Sequence, residues 1–233
     1  MHRRMTAWWA LLLLAAAPQA GAEEKPADGM LHGMPLLRFD DFQSGKLDAW
    51  EPSDPAAWKI VEQGANRVLS QFQQSKVQTP VRSPFNRAVV KDLIVSDLVL
   101  DLQVQSTIKD YDHRDVCLFF GYQDPAHMYY VHLGKKADDH ANQIFIVNDA
   151  PRKKISRVST EGTNWDDGWH RVRVVRKVET GSIDVYFDNM EKPVMQAVDK
   201  TFSWGQVGVG TFDDTAHFDR VAIYGTKTER PQP

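Results

Sequence analysis

The stretch Ser96–Gln105, "SDLVLDLQVQ", decides the fold. Leu98, Leu100, Leu102 and Val104 fall on one side of an extended chain, while Val99, Asp101, Gln103 and Gln105 fall on the other. A period of two is the pattern of a half-buried antiparallel strand, because successive side chains point to opposite faces of a sheet. The same rhythm continues outward on both sides. In "DVCLFFGYQ", Val116, Leu118 and Phe120 oppose Asp115, Cys117, Phe119 and Gln123, so both faces carry apolar residues and the strand is expected to be central. "MYYVHLG" groups Tyr129, Val131 and Leu133 toward the core and leaves Met128, Tyr130 and His132 on the second face. "NQIFIVND" reads as another strand with two apolar faces.

"HRVRVVRKVETGSIDVYFDN" alternates Val172 and Val174 with Arg171 and Arg173, breaks at "ETGS" and resumes with Ile183, Val185 and Phe187, which is a hairpin. The last strand segment, "GQVGVGTFDDTAHFDRVAIYG", has glycines at 205, 208 and 210, as suits a strand approached closely by another backbone. Helical periodicity is nearly absent. Many short strands punctuated by turns predict an all-β, two-sheet antiparallel β-sandwich of jelly-roll type.

The chain opens with "MHRRMTAWWALLLLAAAPQAGAEE": two Arg, a short apolar run, then Ala20 and Ala22 before Glu23. That layout predicts a signal peptide over 1–22 and a secreted or periplasmic protein. The apolar run is shorter than the ~20 residues of a bilayer-spanning helix, so no transmembrane segment is expected. Residues 23–36 are polar and Gly/Pro-punctuated and read as a flexible leader. The sandwich is expected over 37–226, with a disordered tail over 227–233. Without Arg3 and Arg4, 26 basic residues face 31 acidic ones, a formal charge of −5, which gives no electrostatic case for nucleic acid as a partner. The single cysteine, Cys117, cannot form an internal disulfide and is expected as a buried thiol.

The stretches Phe39–Gln71, Trp169–Asn189 and Gly205–Gly225 together resemble the concanavalin A-like lectin/glucanase sandwich. Within it they are most similar to secreted laminin-G-like and 3-keto-disaccharide hydrolase-like (DUF1080) proteins. The resemblance implies a jelly roll whose concave sheet meets a carbohydrate. The paired acids of the bacterial β-glucanases, in an E-x-D-x-x-E string, are absent here. Two-carboxylate hydrolysis needs that pair at a separation of roughly 5 to 9.5 Å, so the β-glucanase reading is set aside. The Q-I-H triplet of the alginate-lyase branch is absent as well: Phe145 follows Gln143 and Ile144.

The polar and aromatic residues of the second face supply the candidate site. Asp115, Gln123, Tyr130, His132 and Gln143 project from it, and His113, Arg114, His127 and His140 lie nearby in sequence. An aromatic face covers the C–H side of a sugar ring while Asp, Gln, Arg or His bond its hydroxyls. His113, Gln123, His127, His140 and Gln143 are accordingly candidate ligand-binding residues, with Trp165 in the loop "TNWDDGW" as an exposed platform and Trp169 as a packing residue. Cross-strand pairing with nothing bound is the competing reading. If the site is catalytic, oxidation of a sugar at C3 acidifies the C2 hydrogen. His132 would then be the base, Tyr130 or Asp115 its partner, and Arg114 the group that holds the enolate oxygen. The histidine spacing does not support zinc.

Members of the resembling superfamily often bind Ca²⁺ where the first and last strands pair. That implies a structural calcium at Asp41 and Asp219, with Asp213 and Asp214 in reserve. Turn-shaping is the alternative role of these Asp residues. The basic run "PRKKISRV" reads as a solvated loop or a contact to an acidic glycan. The expectation is therefore a secreted glycan-binding sandwich, with a 3-keto-glycoside hydrolase or lyase and a purely structural envelope protein as alternatives.

Overall fold

The computed structural model describes residues 29–231; the predicted signal peptide, the first six residues of the predicted leader and the last two of the predicted tail lie outside them. The described chain is nearly all β. Its strands are β1 (Met30–Leu31), β2 (Met34–Asp40), β3 (Trp50–Pro52), β4 (Trp58–Gln63), β5 (Asn66–Gln71), β6 (Asn86–Val90), β7 (Val95–Ser106), β8 (Asp115–Asp124) and β9 (His127–Gly134). They continue as β10 (Gln143–Asn148), β11 (Lys153–Lys154), β12 (Ser156–Ser159), β13 (His170–Lys177), β14 (Ser182–Phe187), β15 (Met195–Val198), β16 (Gln206–Thr211) and β17 (Ala216–Lys227).

Two antiparallel sheets form a sandwich. One runs β1-β2-β17-β7-β13-β14-β15-β12, with β5 pairing both β17 and β4; the other runs β11-β10-β9-β8-β16-β6-β3. The alternation in "SDLVLDLQVQ" places Leu98, Leu100, Leu102 and Val104 in the core between the sheets. Val116, Leu118, Phe120, Tyr129, Val131 and Leu133 meet them from the opposite sheet. Burying such side chains contributes about 1.5–3 kcal/mol each. The "ETGS" break is the turn of the β13–β14 hairpin, in which Val174 pairs Val185.

Gly205, just before β16, and the β16 glycines Gly208 and Gly210 occupy sites of backbone contact. A Cβ at Gly205 would lie 2.2 Å from the carbonyl carbon of Gly121, one at Gly208 2.6 Å from the Ala88 carbonyl oxygen, and one at Gly210 1.9 Å from that of Asn86. Only glycine lets β16 sit this close to its neighbours.

Both ends of the domain extend past the expected boundaries. The second half of the predicted leader is the β1–β2 hairpin, because Met34 is buried against Val99 and Tyr224 on the outer face of the larger sheet. The predicted tail begins inside β17, Thr228 N–H donates to the Ile94 carbonyl at 2.9 Å, and the Arg230 guanidinium lies over the Trp204 ring.

Candidate functional site

The second face of the smaller sheet is where the candidate residues converge. Register places Cys117 opposite His132, Phe119 opposite Tyr130, Tyr130 opposite Phe145 and His132 opposite Gln143. Asp115, Tyr130, His132 and Gln143 therefore share one surface, as the alternation predicts. That surface is not open. Cys117, Phe119, Met128, Tyr130, Phe145 and Val147 form a second apolar cluster, covered by Val81, Tyr122 and Phe212. Val81 belongs to the connection between β5 and β6, which also bonds to the β10–β11 connection, where Arg152 N–H donates to the Arg82 carbonyl at 3.0 Å. Tyr130 is fully buried and His132 is 5% exposed. Cys117 is buried and free, and burial raises its thiol pKa well above the ordinary value.

His132 sits at the centre of this layer. Its ring stacks on Phe212 at 5.8 Å and 11°. The Arg152 guanidinium lies over the Phe212 and Phe145 rings, 4.2 and 4.9 Å from their centroids. It donates to Tyr130 Oη at 3.0 Å and faces His132 Nδ1 at 3.4 Å. The other ring nitrogen, Nε2, faces Asp115 Oδ2 at 3.5 Å, and neither atom makes a hydrogen bond. Burial holds the Tyr130 hydroxyl protonated, its pKa well above the usual phenol range.

Beside Asp115 the β16–β17 connection brings Asp213 and Asp214. One carboxylate oxygen from each of Asp115, Asp213 and Asp214 lies within 4.8 Å of the others. Tyr111 Oη donates to Asp214 Oδ1 at 2.7 Å and Asp115 N–H to Asp214 Oδ2 at 2.8 Å, while Phe212 N–H donates to Asp115 Oδ1 at 2.9 Å. Burial, reinforced by the Asp115 charge, pushes the Asp214 carboxyl up to about 7, and the same causes raise Asp213.

Other predicted residues lie elsewhere. Gln123 is carried off the shared face by a register shift after Phe120, where Gly121 has φ +56°, and donates instead to the Trp204 carbonyl. Gln143 is on the face but spends its amide on the Asp138 carbonyl at 2.9 Å. His127 closes the β8–β9 turn between Asp124 and Asp149. His113 is exposed and pairs with Asp138 at 3.5 Å, and His140 is exposed in the following loop. Arg114 is 1% exposed and points to Ser106 and Asp167, away from His132; Arg152 is the guanidinium that reaches His132.

Of the two tryptophans, Trp165 departs from its expected role. Trp165 is 4% exposed, donates Nε1–H to the Leu133 carbonyl at 3.0 Å and packs edge-on to Phe187, so it is core and not a platform. Trp169 is half-buried, one position out of phase with the inward Val172 and Val174. β17 pairs β2 as the resemblance implies. The Asp219 carboxylate there accepts from Asn66 at 2.8 Å and Arg220 N–H at 2.7 Å, and Asp41 accepts from Gln43 N–H. Among the described residues the three-acid grouping lies instead at the reserve pair, joined by Asp115.

Three residues of the site went unread. Arg152 belongs to the basic run taken as a solvated loop, Phe212 adjoins the reserve aspartates, and Tyr111 opens "YDHRD". Only the last two had a local signal, an aromatic beside a polar cluster.

No family model matches the chain, and no curated protein matches its sequence. Solved structures share its fold. The carbohydrate-binding module CBM66 from Bacillus subtilis is 15% identical over 76% of this chain and 96% of that one, with a TM-score of 0.53. A protein described as a "putative glycosyl hydrolase" from Parabacteroides distasonis is 11% identical over 81% of this chain and 99% of that one, TM-score 0.52. Winged bean acidic lectin, solved with methyl-α-D-galactose, is 10% identical over 78% and 94%, TM-score 0.51. The chain thus shares with these structures a two-sheet antiparallel β-sandwich fold. Among the described residues no helix is long and apolar enough to cross a membrane.

Proposed function

We propose that this protein is a secreted glycan-binding sandwich that meets its carbohydrate at the rim of the smaller sheet's second face, formed by Tyr111, His113, Arg152 and Phe212. The observation that carries the reading is the composition of that rim. Tyr111 is 40% exposed and His113 is exposed, while Phe212 and Arg152 are half-buried, so two aromatic surfaces stand beside an imidazole and a guanidinium. Aromatic rings cover the apolar side of a sugar, and the charged groups bond its hydroxyls. The fold likeness to a carbohydrate-binding module and a galactoside-bound lectin supports the same class of ligand.

The hydrolase or lyase reading has one observation in its favour, the assembly of His132, Asp115 and Tyr130 in one place. A general base must reach its substrate proton within hydrogen-bond distance. Phe212, Phe145 and Arg152 enclose the His132 ring, so binding at the rim is the better-supported function. An immobilised glycan screen of the mature protein, run beside a turnover assay on a 3-keto-disaccharide, tests the proposal. Retention of a glycan that is weakened in Tyr111→Ala and Arg152→Ala, without turnover, is the expected result. Turnover abolished by His132→Ala would replace binding with catalysis, and neither retention nor turnover would leave the structural-protein alternative.

A further inference from the structure

Past Gln143, on the side away from Phe212, the surface beside the rim opens into a cleft of about 790 Å³. Asp138 and Asp139 come to it from the β9–β10 connection, Lys154 from β11, and Thr160 and Glu161 from the β12–β13 connection. Hydrogen bonds tie these separate segments together. Ala137 N–H donates to the Glu161 carbonyl at 2.8 Å, and Asn142 Nδ2 to the Thr160 carbonyl at 3.0 Å. Asp138 Oδ1 accepts from His140 N–H at 2.6 Å and from Ala141 N–H at 2.7 Å, which fixes the bend of the β9–β10 connection. Walls held in this way need little ordering when a ligand arrives, so less binding free energy is lost to immobilisation.

The cleft adjoins the rim along two borders. On one, His113 Nε2 lies 3.5 Å from Asp138 Oδ2. On the other, Lys154 stands opposite Phe145 in the β10–β11 pairing, and the Arg152 guanidinium lies over that same Phe145 ring. Cross-strand partners share a face, so Lys154 and Arg152 border one surface. A ligand seated against Tyr111 and Arg152 thus has a path past His113 and Gln143 to Lys154 and Glu161.

The lining indicates what could follow that path. The Lys154 ammonium is 2.5 Å from Asp139 and that of Lys136 is 2.6 Å from Asp112, so the cations at the cleft already have carboxylate partners. Lys153 pairs with Ile146, a core residue, and so projects to the other side of β11. Glu161 in the cleft and Asp213 beside the rim are both exposed carboxylates that oppose an anionic ligand. Among the described residues no aromatic ring lines the cleft, and an apolar ligand would find little to cover. Hydroxyl groups fit better, because each can donate to a carboxylate or accept from an ammonium or amide.

We propose that the rim's ligand is a neutral, extended glycan whose further units lie in this cleft, so that the protein recognises several linked sugars and not a single terminal one. The inference rests on the rim reading and adds the length and charge of the ligand to it.

The test measures the affinity of the mature protein for cello-, xylo-, manno- and arabino-oligosaccharides from disaccharide to hexasaccharide, with oligogalacturonates of the same lengths as the anionic counterpart. In at least one neutral series, affinity is expected to rise about tenfold with length, the gain of a few extra hydrogen bonds. The galacturonates are expected to bind more weakly. Asp139→Ala combined with Lys154→Ala removes both partners of an ion pair whose side chains are 80% and 40% exposed, a change that the fold should tolerate. The double variant is expected to lose about tenfold in hexasaccharide affinity and so to flatten the dependence on length. Equal affinity for disaccharide and hexasaccharide, both weakened by Tyr111→Ala, would overturn the extended ligand and leave the rim reading standing. Full hexasaccharide affinity in the double variant, or a preference for the galacturonates, would also overturn it. Binding of no oligosaccharide in any series would overturn this inference and the rim reading together.

Discussion

His132 Nε2 and Asp115 Oδ2 face each other at 3.5 Å inside a layer that excludes water, and neither atom makes a hydrogen bond. The pair joins β8 to β9 on the side of the sheet away from the main core, where an unmatched polar group is costly.

Asp115→Ala is expected to lower stability by about 1–3 kcal/mol, because it deprives Phe212 N–H of its acceptor and leaves His132 without the carboxylate its ring faces. Asp115→Asn keeps an oxygen for Phe212 N–H and should cost less. Urea unfolding midpoints of the two variants check the order; equal losses would show that the Phe212 bond contributes nothing.

Gly210→Ala should be among the most disruptive single-methyl changes in the chain, since its Cβ would stand 1.9 Å from the Asn86 carbonyl oxygen within the β16–β6 pairing. A loss of about 3 kcal/mol is expected. Gly64→Ala, at φ +63° but with nothing within 4 Å of the new methyl, should cost only about 1 kcal/mol of backbone strain. Thermal denaturation of the two proteins side by side makes the comparison.

Protonation of His127 should make the β8–β9 turn firmer in acid. Its pKa is raised, first by the hydrogen bond to Asp124 and then by Asp149, which outweigh partial burial. A folded pKa above the unfolded one contributes stability that is fully present below the unfolded value of about 6.5 and is lost as pH rises through the folded value. The melting temperature of His127→Gln should therefore fall below that of the parent at pH 5.5 and converge on it at pH 8.5. A gap that is constant across this range would contradict the assignment.

Trp165→Ala should destabilise by about 3–5 kcal/mol, as expected for emptying a core aromatic site. Trp165→Phe, which fills most of the space but leaves the Leu133 carbonyl without its indole donor, should cost about 1 kcal/mol. At temperatures where both variants are folded, glycan retention should match the parent, whereas Tyr111→Ala should reduce it; equilibrium unfolding and the glycan screen report the two effects separately.

Alternation along the chain was enough to assign faces. The inward set Leu98, Leu100, Leu102 and Val104, the partition of Tyr129 from Tyr130, and the crowding at Gly205, Gly208 and Gly210 are all legible from residue order, because a strand's side chains obey a period of two wherever the ladder is regular. The candidate site was legible as a shared face holding Asp115, Tyr130, His132 and Gln143, but not as a closed one. Gln123 left that face at a register irregularity that alternation does not announce, and Trp165 turned into the core from a loop with no period to place it.

What only the tertiary structure decided was what lies across the second face. Val81 from the β5–β6 connection, Arg152 from the β10–β11 connection and Phe212 from the β16–β17 connection reach it from segments far apart in sequence, and together they bury His132 and leave Tyr111 at the rim. Strand faces follow from local sterics and the burial of alternate side chains. The meeting of distant loops depends on the packing of the whole sandwich, which no single stretch of residues encodes.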